Sequence, residues 1–283
     1  MSTLPQKLQQ LGDLLTDMRS VVVAYSGGVD SAFLAAIAHQ SLGDQCIAVT
    51  ASSPSLPPGE LEKASDLAKR LGLHHRVIET REVEEPDYAA NGPRRCYFCK
   101  SHLYRRFRAL AEEEGYVHVV DGATLDDNED FRPGATAARE WGVRSPLVEV
   151  GFTKEDIREH SREMGLPTWD KPAQACLASR VPYGTPVTIE VLGQIAKAER
   201  YLHEIGVRQL RVRHHGTTAR IEMAPEEMPL LIEPGVREKV VERFKGLGYL
   251  YVTVDLEAYQ AGRLNRELRP RTPQSQRHHY PSQ

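Results

Sequence analysis

Short apolar runs alternate with amphipathic stretches through the first two-thirds of the chain. The run VVVAY, which begins at Val21, is rich in β-branched residues and predicts a buried parallel strand. Further strands are predicted at QCIAVTA, HHRVIE and YVHVVDGAT. The stretches between and after them predict helices at AFLAAIAHQ, SLPPGELEKASDLAKRLG, about Tyr97 to Gly115, and TKEDIREHSREMG. This βαβα order indicates an α/β fold with a doubly wound parallel sheet, whose ligands bind at the carboxyl ends of the strands.

The pattern changes in the last third of the chain. An irregular stretch, PAQACLASRVPYGTP, is followed by segments that predict helix, strand, strand, helix and strand, which is a smaller α+β unit. We therefore expect an α/β nucleotide-binding domain at 1–170, a cysteine-bearing loop or hinge at 171–187 and a small α+β domain at 188–262. The segment 263–283, rich in Arg, Pro, Gln and His, predicts a disordered tail.

Composition restricts the class of protein. Of 283 residues, 40% are hydrophobic and 27% are charged, which is typical of a globular enzyme with a proper core. A net charge of −3 argues against a general nucleic-acid binder. No stretch approaches the roughly 20 apolar residues that span a bilayer, and the first residues lack the pattern of a signal peptide. We therefore expect a cytoplasmic protein without a membrane partner.

The hexapeptide SGGVDS, residues 26–31, follows the first predicted strand and leads into a helix. Its two glycines allow a sharp turn, and the free N–H groups of the helix start favour a bound anion. The loop lacks the lysine of a Walker A sequence. The alternative is an ordinary tight turn of small residues. We predict a phosphate-binding loop formed by Ser26, Gly27, Gly28, Asp30 and Ser31, the residues that would bind ATP if the resemblance described below holds.

Carboxylates accompany this loop. Asp30 lies inside it, and the segment DGATLDDNED places Asp126, Asp127 and Asp130 after a later strand. Mg²⁺ on a nucleotide takes one or two carboxylates together with phosphate oxygens. Asp30 and Asp127 are the predicted Mg²⁺ ligands, the alternative being that the acidic run is a solvated loop.

The four cysteines suggest metal or redox chemistry rather than disulfides, because no export signal is visible. Cys96 and Cys99 form a CxxC pair, Cys176 lies in the irregular loop, and Cys46 fits core packing in a strand. Zinc would need a fourth ligand, for which His74, His75 and His102 are available. Three cysteines without a fourth suit a [4Fe–4S] cluster with one open iron. Three unrelated reduced thiols are the remaining alternative.

Arginines carry the last signal. Period-2 alternation in RQLRVRHHG and TARIEM puts Arg211, Arg213, Arg220 and Glu222 on one face of a hairpin. Paired guanidinium groups suit a phosphate, although a cross-strand salt-bridged face is the ordinary alternative. Arg180, four residues after Cys176, suits the same phosphate or a lowered pKa of the Cys176 thiol. The alternative is that Arg180 only joins its loop to a surface carboxylate.

Four motifs together resemble one family of ATP pyrophosphatases. They are SGGVDS, RCYFCK at 95–100, GATLDDNEDFRPG at 122–134 and PAQACLASRVPYG at 172–184, and the resemblance spans about residues 5 to 260. The family is the ATP-dependent sulfurtransferases that make the nickel-pincer nucleotide cofactor of lactate racemase. The resemblance implies an adenine nucleotide α-hydrolase-like fold and ATP with Mg²⁺ as cofactors.

The reaction that the resemblance implies has two steps at each carboxylate of pyridinium-3,5-biscarboxylic acid mononucleotide. ATP adenylates the carboxylate with release of pyrophosphate, and a sulfur nucleophile then displaces AMP. In single-cysteine members the donor is a sacrificial cysteine, which matches Cys176. Cys96 and Cys99 depart from that pattern and resemble members in which three cysteines hold a [4Fe–4S] cluster. The family's phosphate-binding arginines and glutamate match Arg211, Arg213 and Glu222.

Other functions stay open at this point. A PP-loop amidotransferase of the NAD-synthetase type would use the same loop, as would a tRNA-thiolating enzyme, and a non-catalytic ATP- or zinc-binding regulator is the alternative outside enzymes. By resemblance, the partners are the pyridinium nucleotide, a downstream nickel-inserting enzyme and lactate racemase or another pincer-dependent enzyme. We also expect a homo-oligomer and no nucleic-acid partner.

Overall fold

The computed structural model describes residues 4–129, 133–172, 174–260 and 262–268. Its larger sheet is parallel, with the strand order β3-β2-β1-β4. The strands are β1 (Val21–Ala24), β2 (Cys46–Ser52), β3 (His75–Glu79) and β4 (His118–Val120). The chain steps from β1 outward to β3 and then returns to the other side of β1, so the topological switch point lies between β1 and β4. The predicted α/β fold with a parallel sheet is confirmed.

Helices cover both faces of this sheet, and successive side chains of each strand point to opposite faces. In β1, Val21 and Val23 pack into the core on the side of the first two helices, whereas Val22 packs on the opposite side. Cys46 lies in the first of these cores, as predicted. The helices of this part are α1 (Leu4–Met18), α2 (Val29–Leu42), α3 (Glu60–Arg70), α4 (Pro86–Ala89), α5 (Arg95–Glu114), α6 (Pro133–Glu140), α7 (Pro146–Val150) and α8 (Lys154–Glu163).

Several of these helices differ from the prediction. The sequence analysis did not anticipate α1, α4, α6 or α7. Helix α3 begins at Glu60, after a left-handed Gly59, rather than at Pro57 and Pro58. The capping box predicted for α8 is present, since Thr153 and Asp156 exchange side-chain to backbone hydrogen bonds. Within the described residues no helix is long and apolar enough to cross a membrane.

A smaller sheet follows, with the order β5-β6-β7. Strands β5 (Leu210–His215) and β6 (Thr218–Met223) form the predicted antiparallel hairpin, and β7 (Tyr251–Val254) pairs in parallel with β6. The accompanying helices are α9 (Ile189–Glu204), α10 (Met228–Ile232) and α11 (Val236–Gly246). These elements share one apolar core. The predicted disordered tail begins instead with a 3-10 helix, Arg263–Leu268, and residues 269–283 lie outside the described part.

The segment that carries Cys176 joins the two sheets. A 3-10 helix, Leu177–Arg180, packs with Tyr88 of α4 and Ile195 of α9 in an apolar cluster of its own. Arg180, only 1% exposed, pairs with Glu199 of α9 through two contacts, Nε to Oε1 at 2.9 Å and Nη2 to Oε2 at 3.0 Å. Glu199 also accepts the backbone N–H of Val212 at 2.9 Å. One carboxylate therefore ties the segment, α9 and β5 together.

We expect Glu199→Ala to reduce the free energy of unfolding by about 3–5 kcal/mol, because Arg180 would stay buried without a counter-charge. Urea denaturation followed by circular dichroism measures the loss. Glu204→Ala is the matched control, since Glu204 lies on the same helix and is exposed. Its effect should stay within about 0.5 kcal/mol. Equal losses in the two variants would contradict the role of Glu199.

Candidate functional site

The SGGVDS loop connects β1 to α2 at the switch point of the larger sheet. Gly27 has a φ of +69°, and a Cβ there would lie 2.8 Å from the Cβ of Ala64 in α3. Gly122, after β4, approaches equally closely, since its Cβ would lie 2.9 Å from the backbone nitrogen of Ser31. Only glycine fits these two contacts. The loop is thus pressed between α3 and the end of β4.

The start of α2 is arranged to receive an anion. Its N-cap residue is Gly28, and no side chain caps the helix. The hydroxyls of Ser26 and Ser31 lie 3.0 Å apart, and Ser31 also hydrogen-bonds the carbonyl of Gly28 at 3.3 Å. Uncapped N–H groups of a helix start, together with the helix dipole, stabilise phosphate oxygens.

The loop opens into a cleft of about 540 Å³ above the carboxyl ends of β1, β2 and β3. Five predicted site residues line this cleft: Ser26, Gly28, Asp30, Cys99 and Cys176. The other predicted residues do not line it, namely Gly27, Ser31, Cys96, Asp127, Arg180, Arg211, Arg213 and Glu222. The fold therefore brings the phosphate loop, Cys99 and Cys176 to one cavity.

Asp30 and Asp127 lie close enough to affect each other's charge. Burial raises the pKa of Asp30, and the neighbouring Asp127 raises it further, whereas Lys154 and Arg158 oppose the shift. Asp127 forms an ion pair of 2.9 Å with Lys154, and the backbone N–H of Lys154 donates to Asp126 at 2.7 Å. Asp130 lies outside the described residues. Two carboxylates beside a phosphate loop fit Mg²⁺, which takes its remaining ligands from phosphate and water.

Cations in the cleft were missed by the sequence analysis. Lys154 and Arg158 come from α8, Lys171 precedes the Cys176 segment, and Lys100 follows Cys99 on α5; all four line the cleft. None belongs to a recognisable phosphate motif. The one available signal was the position of Lys171, directly before PAQACLASR.

The three loop cysteines share one neighbourhood. Cys96 and Cys99 lie in the first turns of α5, and Cys99 lines the cleft together with Cys176. Burial raises the pKa of the Cys99 thiol, and the nearby Cys176 raises it further. Cys96 is exposed at the start of α5, yet partial desolvation raises the pKa of its thiol, with a smaller contribution from Cys176. Within the described residues, no three histidine, cysteine or acidic side chains are already arranged around a metal position. The thiols are thus neighbours without forming a completed ligand set.

The three histidines considered for zinc do not complete such a set among the described residues. His75 hydrogen-bonds Thr50 at 2.9 Å. His102 lines the cleft, and its Nδ1 lies 3.0 Å from Glu85. His74 is exposed.

A buried polar network supports the wall of the cleft below Cys176, and no sequence pattern pointed to it. Glu82, only 3% exposed, accepts hydrogen bonds from the hydroxyls of Ser53 and Ser55. The hydroxyl of Ser55 also lies 2.5 Å from that of Tyr88. The backbone carbonyl of Ser55 accepts the N–H of Leu177 at 2.7 Å, so the network fixes the residue next to Cys176.

Arg180 makes the kind of contact that the sequence analysis left open as its alternative, but with a buried carboxylate rather than a surface one. Besides Glu199, it donates to the carbonyls of Ala175 at 2.7 Å and Cys176 at 2.9 Å. Its guanidinium therefore holds the backbone on both sides of the Ala175–Cys176 bond, and it does so from outside the cleft.

The hairpin arginines share one face, as predicted, and most of this face is buried: Arg211, Arg213 and Glu222 are buried, whereas the Arg220 side chain is partly exposed. Arg211 lies opposite Glu222, and Arg213 opposite Arg220. Arg213 donates to Glu222 at 2.6 Å and to the carbonyl of Ser179 at 2.7 Å. The ordinary cross-strand ion pair is therefore present, and it lies directly behind the Cys176 segment.

Arg211 differs from its neighbour. It is 8% exposed, donates to the carbonyl of Leu210 at 2.7 Å and stacks at 5.0 Å over the ring of Tyr259. No salt bridge to Arg211 is found among the described residues. Burial lowers the pKa of Arg211, and the adjacent cation Arg180 lowers it further. A buried guanidinium without a carboxylate fits an anionic ligand.

Comparison with known proteins agrees with this geometry. A family model described as NAD synthase matches residues 6–112, which contain the phosphate loop. An uncharacterised protein of Synechocystis is 46% identical over 265 residues, covering 94% of this chain and 99% of that protein. Pyridinium-3,5-bisthiocarboxylic acid mononucleotide synthase of Lactiplantibacillus plantarum is 36% identical over 269 residues, covering 95% of this chain and 97% of that protein.

The parallel sheet with SGGVDS at its switch point defines an enzyme of the PP-loop ATP pyrophosphatase class, with an adenine nucleotide hydrolase-like fold. Within that class, the match along nearly its whole length places the chain in the family of the Lactiplantibacillus synthase, the family that the sequence motifs resemble. The use of ATP follows from that class.

Proposed function

We propose that this enzyme transfers sulfur to the carboxylates of pyridinium-3,5-biscarboxylic acid mononucleotide, after ATP has activated each carboxylate as an acyl-adenylate. The observation that carries the proposal is that Cys176 and the SGGVDS loop line the same cleft. A PP-loop amidotransferase would have no use for Cys176 or Cys99 beside its nucleotide. The NAD synthase model ends at residue 112, well before the Cys176 segment.

Activation of a carboxylate requires attack on the α-phosphorus of ATP. The carboxylate oxygen forms a bond to the α-phosphorus. The bond between the α-phosphorus and the oxygen that bridges it to the β-phosphorus breaks, which releases pyrophosphate. In the proposed arrangement the uncapped start of α2 holds the phosphates, and Lys154, Arg158 and Lys171 offset their charge. Mg²⁺, held by Asp30 and Asp127, would supply further charge neutralisation.

In the second step a sulfur nucleophile attacks the acyl carbon, a C–S bond forms, and AMP leaves with the electron pair of the broken C–O bond. The nucleophile is a thiolate or a sulfide, because a neutral thiol is only weakly nucleophilic. Cys176 is held for this step by the carbonyl contacts of Arg180 and by the hydrogen bond of Leu177 to Ser55.

The sulfur can come from two sources. In the first route the Sγ of Cys176 bonds to the acyl carbon, the Cα proton is then lost and the Cβ–Sγ bond breaks, which leaves the thiocarboxylate and a dehydroalanine. In the second route Cys96, Cys99 and Cys176 would together hold a [4Fe–4S] cluster, whose chemistry would be the delivery of a sulfide. The cleft that Cys99 and Cys176 share, with Cys96 on the same helix as Cys99, supports the second route, because the CxxC pair has no part in the first. We therefore propose the cluster route.

Incubation with ATP, Mg²⁺ and the dicarboxylate nucleotide should produce AMP and pyrophosphate, measured by ion-exchange chromatography. Asp30→Asn should abolish AMP formation and leave the circular dichroism spectrum unchanged, because the variant loses a Mg²⁺ ligand without a change of shape. Asp44→Asn is the control, since Asp44 is exposed beyond the far end of α2. Release of ADP and phosphate would contradict the assignment.

Anaerobic reconstitution with iron and sulfide should produce a brown protein with about four irons per chain. Replacement of Cys96, Cys99 or Cys176 by alanine should remove most of that iron and stop thiolation, whereas Cys46→Ala should do neither, because Cys46 is buried in a distant core. If only Cys176→Ala stops thiolation, and turnover leaves Cys176 lighter by hydrogen sulfide in the mass spectrum, the cysteine itself is the donor.

For the substrate phosphate we propose Arg211 as the main ligand, with Arg213 and Glu222 shaping its surroundings. Loss of one charged hydrogen bond costs about 1.5–3 kcal/mol. Arg211→Ala should therefore raise the KM for the pyridinium nucleotide about tenfold to a hundredfold and leave the KM for ATP unchanged in steady-state assays. Arg220→Ala is the same-face control, since Arg220 pairs with Glu222 and Asp255. A raised KM for ATP would assign Arg211 to the other phosphate.

The remaining partner, the nickel-inserting enzyme that would take the bisthiocarboxylate product, is proposed on the family resemblance alone, as is a homo-oligomeric state.

A further inference from the structure

Lys171 occupies a position between the phosphate loop and the segment that carries Cys176. Its ammonium lies 2.8 Å from Oε2 of Glu60 in α3 and 3.0 Å from the backbone carbonyl of Gly27. The guanidinium of Arg158 donates to the backbone carbonyl of Lys171 at 3.0 Å, which fixes the origin of the side chain. The backbone and the ammonium of Lys171 are therefore both held in place, with the ammonium against the SGGVDS loop.

This arrangement leaves capacity for a ligand. A lysine ammonium has three N–H donors, and Glu60 and Gly27 take two of them, so one remains for an anion in the cleft that Lys171 lines. Glu60 does not need Lys171 for its own charge balance, because Lys63 pairs with its other oxygen at 2.9 Å. The loop itself has no lysine.

We propose that Lys171 binds the pyrophosphate part of ATP and, through this contact, couples nucleotide binding to the seating of the Cys176 segment. The inference rests on the proposed function, in which ATP is bound at the SGGVDS loop. Lys171 precedes the cleft-lining residues Pro172, Gln174, Ala175 and Cys176. Because Lys171 directly precedes this segment, the position of its ammonium in the phosphate site and the position of the segment depend on each other.

The coupling has a necessary counterpart. If seating of the segment strengthens ATP binding, ATP must stabilise the seated segment by the same free energy. AMP, which lacks the β- and γ-phosphates, should have no such effect. The Cys176 segment would then be fixed in place while the triphosphate is intact, before pyrophosphate leaves.

The first test measures binding of α,β-methylene-ATP, which cannot be cleaved at the α–β bond, and of AMP by isothermal titration calorimetry. Lys171→Met should weaken binding of the triphosphate about tenfold to a hundredfold and leave AMP binding unchanged. Lys171→Arg, which keeps the charge, should recover most of the loss. Lys63→Met is the matched control, since Lys63 pairs with the same glutamate and does not line the cleft.

Three outcomes would overturn the role of Lys171. The first is triphosphate binding to Lys171→Met that is as tight as binding to the wild type. The second is equal weakening of triphosphate and AMP binding, and the third is a Lys63→Met variant that behaves like Lys171→Met. The last two results would assign Lys171 to the support of α3. Failure of the wild type itself to bind the triphosphate would instead contradict the proposed function.

The second test measures hydrogen–deuterium exchange of peptides within 174–180. α,β-Methylene-ATP should slow this exchange in the wild type and in Lys63→Met, whereas AMP should not. In Lys171→Met the saturating triphosphate should no longer slow it. Equal protection by AMP, or full protection in Lys171→Met, would overturn the coupling.

Discussion

The buried ion pair between Arg180 and Glu199 is the contact on which the candidate site depends. A guanidinium and a carboxylate that are both almost fully removed from water must satisfy each other closely, because an unpaired buried charge is strongly destabilising. The remaining donors of Arg180 hold the carbonyls of Ala175 and Cys176, and Glu199 also receives the N–H of Val212. The Cys176 segment is thereby fixed relative to the smaller sheet.

The other side of the same segment is fixed to the larger sheet. Leu177 hydrogen-bonds Ser55, and the network of Glu82, Ser55 and Tyr88 lies beneath it. Cys176 is thus held between the larger sheet and the smaller sheet, whose strands lie far apart in the sequence. This explains how an exposed cysteine in an irregular stretch can have a defined position above a phosphate loop.

The cations that line the cleft are suited to a triphosphate. Lys154, Arg158 and Lys171 line the cleft on the side of the SGGVDS loop, and Asp30 and Asp127 are the neighbouring carboxylates that we propose for Mg²⁺. Arg211 lies apart from them, behind the Cys176 segment, as a buried cation without a carboxylate partner among the described residues. The segment that contains Cys176 therefore separates the cations of the cleft from Arg211, as the proposed reaction between ATP and a second nucleotide requires.

The sequence by itself determined the parallel α/β fold, the phosphate loop and the hairpin. These features depend on local patterns: β-branched runs form buried strands, glycines permit the approach of Gly27 to Ala64, and period-2 alternation sets the faces of β5 and β6. Only the tertiary structure decided which charged residues meet. Lys171 reaches Gly27 across 144 positions and Arg213 reaches Ser179 across 34, and neither contact has a periodic signal. Burial of the arginine face was likewise hidden, because alternation shows that residues share a face but not what covers it.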